Sequence, residues 1–567
     1  MKKANSLGQL SKLKKLKFFN NLLTGVVTEA HFANLSSLKS LNDKRRSKDL
    51  KEGNNLTLEL QLSNWIPPFE IEWLDLEDWC LGPRFPFWLQ SQKYLEYLDM
   101  SNTGISHMPP ESFWRSLPTL SYLDMSQNHI QGPLLSIPEN IVTVDLSSNK
   151  FSGKLPDLSN ISLPFELDIS NNSFTGSLHR FLCPNDVKST MYLNLGYNSL
   201  SGVIPECWEK FLELQFLNLE NNNLSGGIPR TLGSSFNLQF LNLHGNHLSG
   251  RLHASLMNLT RLEILQLGGN ELVGSIPAWF ARSLSDLKLL NLRSNHFNGS
   301  IPRELCYLRE IQILDLSNNN LSGNIPRCFN NFSILSGKEN TSGDPFRMAT
   351  VVSGNENPKL FIISDSLVVK GQIHSYDSIL PLVMLMDLSN NSFSGNIPVE
   401  LTTLQKLQSL NLSRNHLTGR IPEKIGDMKE LVSFDVSLNK LSGELPVTLS
   451  SLHFLSSFNV SYNNLTGKIP TSTQFETFSE SSFLGNILCG DPLASCADKV
   501  PDTVDQIEDD GSHGAEWGLI ISIVLGFLAG FWFVVAPLMI SKSWRIAYYR
   551  FLDKLWYKVS DVMHKYC

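Results

Sequence analysis

The feature that most constrains this chain is a ruler laid along it. Aligned on one asparagine, "LQFLNLENNNLSGGIP" places Asn222, "LQFLNLHGNHLSGRL" Asn246 and "LEILQLGGNELVGSIP" Asn270, and the same position continues at Asn295 and Asn319. After an interruption, Asn391, Asn415, Asn439 and Asn463 resume it at a spacing of 24 residues. Upstream it falls more raggedly on Asn128, Asn149, Asn172 and Asn198, and Thr103 and Trp79 occupy it in two further units. A fixed period of this kind means one supersecondary unit repeated, each unit burying its apolar face only against its neighbours.

The letters follow L-x-x-L-x-L-x-x-N-x-L, the leucine-rich repeat, often continued by G-x-x-P as in "SGNIP" and "TGKIP". Leucines at positions 4 and 6 alternate inward from a short strand, and those at 1 and 11 fill the same layer. The asparagine at position 9 can bond turn backbone that no strand ladder satisfies. Glycine supplies a backbone conformation closed to other residues, and proline blocks helix on the convex side. The expected fold is an α/β-type solenoid, a leucine-rich-repeat superhelix with a parallel β-sheet on its concave face.

One segment stands outside the repeat. Residues 518–540, "GLIISIVLGFLAGFWFVVAPLMI", carry no charge, and 23 helical residues reach about 34 Å, enough to cross a hydrocarbon core. The preceding segment 497–517 is acidic (Asp498, Asp502, Asp505, Glu508, Asp509, Asp510, Glu516), and 541–567 holds Lys542, Arg545, Arg550, Lys554, Lys558 and Lys565. The positive-inside bias therefore predicts one transmembrane helix with the repeats outside and 541–567 in the cytoplasm. Within it Gly526 and Gly530 form "GFLAG", a small-xxx-small pattern that lets another helix approach.

The "SG-x-IP" form resembles plant extracellular leucine-rich repeats. The runs "WIPPFEIEWLDLEDWCLGPRFPFWLQSQKYLEYLDMSNTGIS" and "FLGNILCGDPLASC" resemble the plant receptor-like proteins of the ethylene-inducing-xylanase receptor type. That resemblance, from about Leu10 to Cys567, implies the plant-specific form of the repeat solenoid and a kinase-less receptor at the plasma membrane, single-pass with its N-terminus outside. It implies an extracellular protein or peptide ligand of microbial, defence-related kind. It also implies a leucine-rich-repeat receptor kinase held through the membrane helix, with a co-receptor kinase recruited on ligand binding. The N-terminus departs from the family: "MKKANSLGQLSKLKKLKFF" shows neither a signal-peptide h-region nor a cysteine-bearing cap, so an N-terminally incomplete form is expected.

The expected organisation is irregular N-terminal repeats with a charged insertion over 1–60, where "DKRRSKDLK" fits an unspliced fragment or an exposed insertion. Repeats follow over 61–328, then a non-repeat island over 329–380, repeats over 381–470 and a C-terminal cap over 471–496. Within the island, "LVVKGQIHSY" resembles the family's recurrent Lys-Gly-to-Tyr segment and singles out Lys370, Gly371 and Tyr376. Cys489 and Cys496 are expected to pair in the cap; Cys183 with Cys207 and Cys306 with Cys328 lie about one repeat apart, a spacing that suits bridges between coils without fixing them. Cys80 is left over and expected as a buried thiol, and Cys567 is a candidate for palmitoylation. Sequons at Asn34, Asn55, Asn160, Asn171, Asn223, Asn258, Asn298, Asn320, Asn331, Asn340, Asn390, Asn411, Asn459 and Asn464 agree with a glycosylated ectodomain, though "NNLSG" generates many of them automatically.

Chemistry is not written here. No phosphate-cradling loop, zinc-binding helix pattern, nucleophile elbow or kinase signature occurs, and no metal or cofactor motif. A net charge of −7 offers no footprint for nucleic acid. Function is therefore expected on a surface. Strand positions 3, 5, 7 and 8 face the concave side, and in most units positions 7 and 8 are small and polar. The middle units break that habit with Tyr197, Glu220, His244 and Arg293, and place Tyr192, Phe216 and Phe240 at position 3. Aromatics and arginine amid adaptable polar groups are the material of binding hot spots, so these seven are the candidate ligand contacts. The competing functions are a membrane-held, non-signalling inhibitor or scaffold that binds a secreted enzyme, and a developmental receptor of the same architecture.

Overall fold

The computed structural model describes residues 9–17, 23–42, 55–60, 65–138, 141–158, 163–183, 189–339, 347–350, 359–362, 365–369, 372–376 and 380–496. The expected membrane segment 518–540, its flanks, Gly526, Gly530 and Cys567 lie outside these residues, as do the charged run 43–51 and residues 370–371 of the island. Among the described residues no helix is long and apolar enough to cross a membrane.

Each repeat contributes one short strand to a seventeen-stranded sheet that starts at Lys15–Leu16 and ends at Ser457–Asn459. Every step is parallel and in register, so Tyr192, Phe216, Phe240 and Ile264 lie side by side, as do Asn194, Asn218, Asn242 and Gln266. A second sheet of fourteen strands, from Gln131–Gly132 to Ile487–Cys489, is built from the "NLSGxIP" halves, where glycines such as Gly226 (φ +78°) take the left-handed backbone. The third side of each coil is mostly a 3₁₀ turn such as Arg230–Ser234, entered from Pro229 at φ −63°. The helical segments there stay short, Glu111–Ser116 being six residues, because proline and the short span between strands leave no room for helix propagation, as expected for the convex side. One buried apolar cluster runs from Phe32 to Leu488.

The asparagine row closes the polar accounting of the coils. Asn222 donates through Nδ2 to the Leu195, Leu219 and Glu220 carbonyls at 3.0, 3.2 and 3.1 Å, and its Oδ1 accepts from the Leu200 N–H at 3.0 Å. One side chain thus satisfies groups on two successive coils. Thr103 manages part of this, donating to the Met100 carbonyl at 2.9 Å, while Trp79 fills its slot by burial. The row also reaches Asn486 in the cap, whose Nδ2 donates to the Val460 carbonyl at 3.0 Å.

The island interrupts the sequence and leaves the sheet whole. Ile313–Asp315 pairs directly with Leu385–Asp387, although the slot asparagines Asn319 and Asn391 stand 72 residues apart. Between them the described strands form two antiparallel hairpins, Arg347–Thr350 with Lys359–Ile362 and Asp365–Val369 with Gln372–Tyr376. The island boundary needs correcting. Phe329, Phe332 and Leu335 are fully buried, and Ser333–Ser336 forms a helical turn, so 329–336 still belong to the coil and the departure comes after them.

Cys183–Cys207 and Cys306–Cys328 link successive coils with Cα separations of 5.6 and 5.7 Å, and Cys489–Cys496 closes the cap at 5.0 Å. The last coil is covered by an aromatic cluster in which Phe458 meets Phe475, Phe478 and Phe483 at 5.0, 5.6 and 5.7 Å. Cys80 stands outside these three disulfides and is half-buried rather than buried, its backbone bonded to Leu56 and Leu58.

Candidate functional site

The small-polar habit on the sheet face has a backbone cause. At position 5, Asp or Asn accepts a hydrogen bond through Oδ1 from the N–H two residues later, as Asp99 does from Ser101 (3.0 Å), Asn218 from Glu220 (3.0 Å) and Asp387 from Ser389 (2.9 Å). This Asx turn ends each strand. Serine at position 7 adds a hydroxyl bond to the same oxygen, at 2.7 Å for Ser101. Position 8 is left-handed in every middle unit, φ +52° at Asn171, +49° at Asn221 and +55° at Asn318, which favours Asn and Gly. Tyr197 holds that backbone at φ +53° with half of its side chain exposed.

The three position-3 aromatics are not free-standing contacts. Tyr192 stacks on Phe216 and Phe216 on Phe240, each pair with ring centroids 4.2 Å apart, leaving 4, 6 and 3% of the residues exposed. They begin an apolar ladder that continues through Ile264, Leu289, Ile313 and Leu385, joined by Leu380 and Val383 from the chain returning from the island. The register of the parallel sheet puts identical positions one strand spacing apart, so flat rings in one row must stack. An equivalent upstream stack, Trp73 on Tyr97 at 3.8 Å and Tyr97 on Tyr122 at 4.2 Å, escaped the sequence reading. Of the seven candidates, Tyr192, Phe216 and Phe240 are therefore structural first.

The polar four lie beside the ladder. Glu220 accepts from Asn218 Nδ2 at 2.9 Å, and burial pushes its carboxyl upward in pKa. His244 is lowered by burial, which favours the neutral imidazole. Arg293 sets Nη1 3.5 Å from Asp315 Oδ2 and 3.9 Å from Asp387 Oδ2, so one guanidinium serves two buried carboxylates that face each other across the island junction. Burial raises Asp315, and burial with the Asp315 charge raises Asp387 to about 7. At the other end of the patch, burial and Asp145 raise Asp168 to about 6, and Tyr192 donates its hydroxyl to Asp168 Oδ2 at 3.2 Å. Sequence reasoning missed this carboxylate column, although the alternation "LDL" and "LNL" spelled it out. Asp75, Glu77 and Asp99 bring carboxylate oxygens within 4.8 Å of one another, and two of the three already accept turn bonds.

Of the other expected residues, Tyr376 ends a hairpin strand opposite Asp365, while Lys370 and Gly371 lie outside the described residues. Among the sequons, Asn34, Asn171, Asn223, Asn258, Asn298, Asn320, Asn331, Asn390 and Asn464 are exposed. Asn411 and Asn459 stand in the position-5 column with Oδ1 accepting from Ser413 and Ser461, and Asn411 Nδ2 donates to Asp387 at 3.2 Å. Asn160 and Asn340, and the side chain of Asn55, are outside the described set.

Models described as leucine rich repeat match residues 260–321 and, in shorter stretches, 94–116, 189–211, 213–235, 237–259, 383–404 and 406–428. The chain is 46% identical to Receptor-like protein EIX2 of Solanum lycopersicum over 544 residues, 94% of this chain and 52% of that protein. It is also 46% identical to Receptor-like protein EIX1 of the same plant, over 94% of this chain and 51% of that one. The chain thus spans about half the length of the curated relatives it matches. Among solved structures it is similar to the leucine-rich-repeat ectodomain of the Arabidopsis receptor kinase HAESA in complex with an N-terminally extended IDA peptide hormone, with a TM-score of 0.62 and 28% identity, covering 86% of this chain and 76% of that one. It is similar also to HAESA in complex with IDA and the co-receptor SERK1, with a TM-score of 0.53 and 26% identity, covering 86% of this chain and 88% of that one.

Proposed function

Because the chain belongs to the plant leucine-rich-repeat receptor-like proteins, we propose that it is a cell-surface receptor that binds an extracellular protein or peptide ligand on its sheet face and signals through an associated receptor kinase. The observation that carries this reading is the likeness over 94% of the chain to two proteins named as receptor-like, on a solenoid whose solved counterpart holds a peptide hormone. The chemistry of the face agrees with binding. An apolar ladder fixes the geometry, and Tyr197, Glu220, His244 and Arg293 offer an aromatic, an acceptor, an imidazole and a guanidinium along one stretch. The ligand is of microbial, defence-related kind on the strength of the family resemblance. A co-receptor kinase completes the assembly by analogy with the HAESA complex, and residues 518–540 anchor it in the plasma membrane.

The test uses the full chain displayed on plant cells behind a signal peptide and challenged with fractionated secreted microbial proteins. Binding that saturates on the wild type and is lost in Tyr197→Ala with Glu220→Gln supports the reading. Equal binding by both chains, or none by either across the fractions, overturns it. Phe216→Ala is a poor probe here, because its ladder role confounds affinity with folding.

A further inference from the structure

The second sheet is broken near its N-terminal end. Thr24–Val27 and Asn55–Leu58 form a sheet of two, and the fourteen-stranded sheet begins only at Gln131–Gly132. In the gap the strand is replaced by "LGPRFPFW", residues 81–88. That segment is pinned to the next coil. The Gly82 N–H donates to the Thr103 carbonyl, and the Pro83 carbonyl accepts from the Ser106 and His107 N–H groups, each at 3.0 Å. A Cβ at Gly82 would lie 1.8 Å from the Gly104 carbonyl oxygen, so only glycine lets the two backbones approach this closely.

Held there, the segment stands away from Leu58–Leu60 and leaves an open cleft of about 520 Å³ between them. Small-molecule sites run from roughly 300 to 1,000 Å³. The cleft is amphipathic. Trp65 and Trp88, with ring centroids 5.7 Å apart, and Phe87, 55% exposed, supply aromatic surface. Glu59 on one wall and Arg84 on the other are both exposed, and neither side chain has a hydrogen-bond or ion-pair partner among the described residues.

The lining selects its guest. A carboxylate and a guanidinium on facing walls cancel the net attraction for an ion of either sign. The carboxylate only accepts hydrogen bonds and the guanidinium only donates them, so the guest must do both along its edge. Between its edges it must offer C–H surface to the rings. A pyranose meets all three demands, because its hydroxyls donate and accept while its axial C–H groups form an apolar face. A polyproline segment also favours aromatic grooves, but it has no N–H to give Glu59.

We propose that the cleft between Leu58–Leu60 and Leu81–Trp88 binds a neutral sugar, one pyranose face lying on the aromatic rings while its hydroxyls bond Glu59 and Arg84. The site belongs to the side of the second sheet, and it does not require the concave face to be a ligand surface. The sugar has two available sources, a free oligosaccharide or an N-glycan of the chain itself, since the sequons at Asn34 and Asn55 fall in the same N-terminal coils.

The test expresses the full-length chain in plant cells behind a signal peptide and holds it in a detergent without a sugar headgroup. Cellotriose, xylotriose and chitotriose are titrated in while tryptophan fluorescence is followed, before and after enzymatic removal of the N-glycans. A saturable change with at least one of them is expected, about tenfold weaker in affinity for Glu59→Ala, Arg84→Ala and Phe87→Ala. These side chains are exposed, so the melting temperatures should stay within a few degrees of wild type. Tyr197→Ala with Glu220→Gln should bind sugar at the wild-type level, which separates this site from the concave face. A response before deglycosylation assigns the site to free oligosaccharide; one seen only afterwards assigns it to the chain's own glycan. No saturable response in either state, a response that Glu59→Ala and Arg84→Ala both retain, or a proline nonapeptide that binds where the sugars do not overturns the proposal.

Discussion

A single asparagine carries more of this fold than a leucine does. Asn415 donates to the carbonyls of Leu388, Leu412 and Ser413 at 3.0, 3.1 and 3.1 Å and accepts from the Phe393 N–H at 3.0 Å. Asn415→Ala strands those buried groups at once, for a cost of roughly 2–4 kcal/mol, because bonds that share one side chain are lost together but relax in part. Contacts in a solenoid reach only to neighbouring coils, so amide exchange should accelerate between about Asn391 and Asn439 and stay unchanged near Asn149. Uniform acceleration along the chain would contradict that locality. The same scale settles glycosylation. Asn223 and Asn464 are exposed and should carry glycan when the chain passes through the secretory route. Asn411 has its Oδ1 and Nδ2 engaged and should be bare, which site-resolved mass spectrometry decides.

The elements were legible to different depths. Strand, slot and turn follow from spacing, because leucine, asparagine and glycine each answer one backbone demand. What spacing hid is the behaviour of rows. Position 3 looks exposed on a single strand, and only the in-register sheet shows that Phe216 has a ring on each side. Phe216→Ala should therefore cost about 3 kcal/mol of local stability, the usual price of a buried aromatic, whereas Tyr197→Ala, at a half-exposed position where alanine keeps the same left-handed backbone, should leave stability nearly unchanged. Chemical denaturation of the two variants side by side makes the comparison. Position 5 was read only as facing the concave side; in the structure its Asp or Asn closes the turn that ends each strand, as Asp99 does for Ser101 and Asn218 for Glu220. The island boundary slipped because "FNNFSIL" lacks repeat letters while still burying Phe329 and Phe332 in the coil. The carboxylate column gives the element scale a pH signature. Asp168, Glu220, Asp315, Asp387 and Asp435 are all raised, chiefly by burial, to about 6 for Asp168 and about 7 for Asp387. A folded state that holds protons the unfolded chain has released loses stability as pH rises through that range. His244, lowered by burial, opposes this with one group against five. The melting temperature should therefore be higher at pH 5 than at pH 8, and Asp387→Asn should flatten the upper part of the slope, near pH 7. A rise in stability with pH would refute the account.

At the scale of the whole molecule, the proposed receptor would have to be heard across a bilayer, and the features that bear on this lie in the sequence beyond the described residues. The solenoid offers the proposed binding face and a capped C-terminal coil. The acidic segment 497–517 then leads into an apolar stretch whose one patterned feature is Gly526-x-x-x-Gly530. In lipid, helices gain nothing from burying apolar surface against each other, so association depends on close backbone approach, and two glycines one turn apart provide it. Leucine at both positions keeps the hydrophobic length, so insertion and surface display should be unaffected. The added side chains would hold a partner helix off by several ångströms, enough to forfeit contacts that decay over fractions of one. Gly526→Leu with Gly530→Leu is thus expected to leave ligand binding by the sheet face intact while sharply reducing co-purification of a receptor kinase and its downstream output. The informative control is the charge reversal of Asp505, Glu508, Asp509 and Asp510 to lysine. Exposed pairs add little energy, so this variant should weaken kinase association only at low salt. Kinase recovery at the wild-type level from the glycine double mutant would mean that the helix is merely an anchor, and that the partner is chosen by the repeats instead.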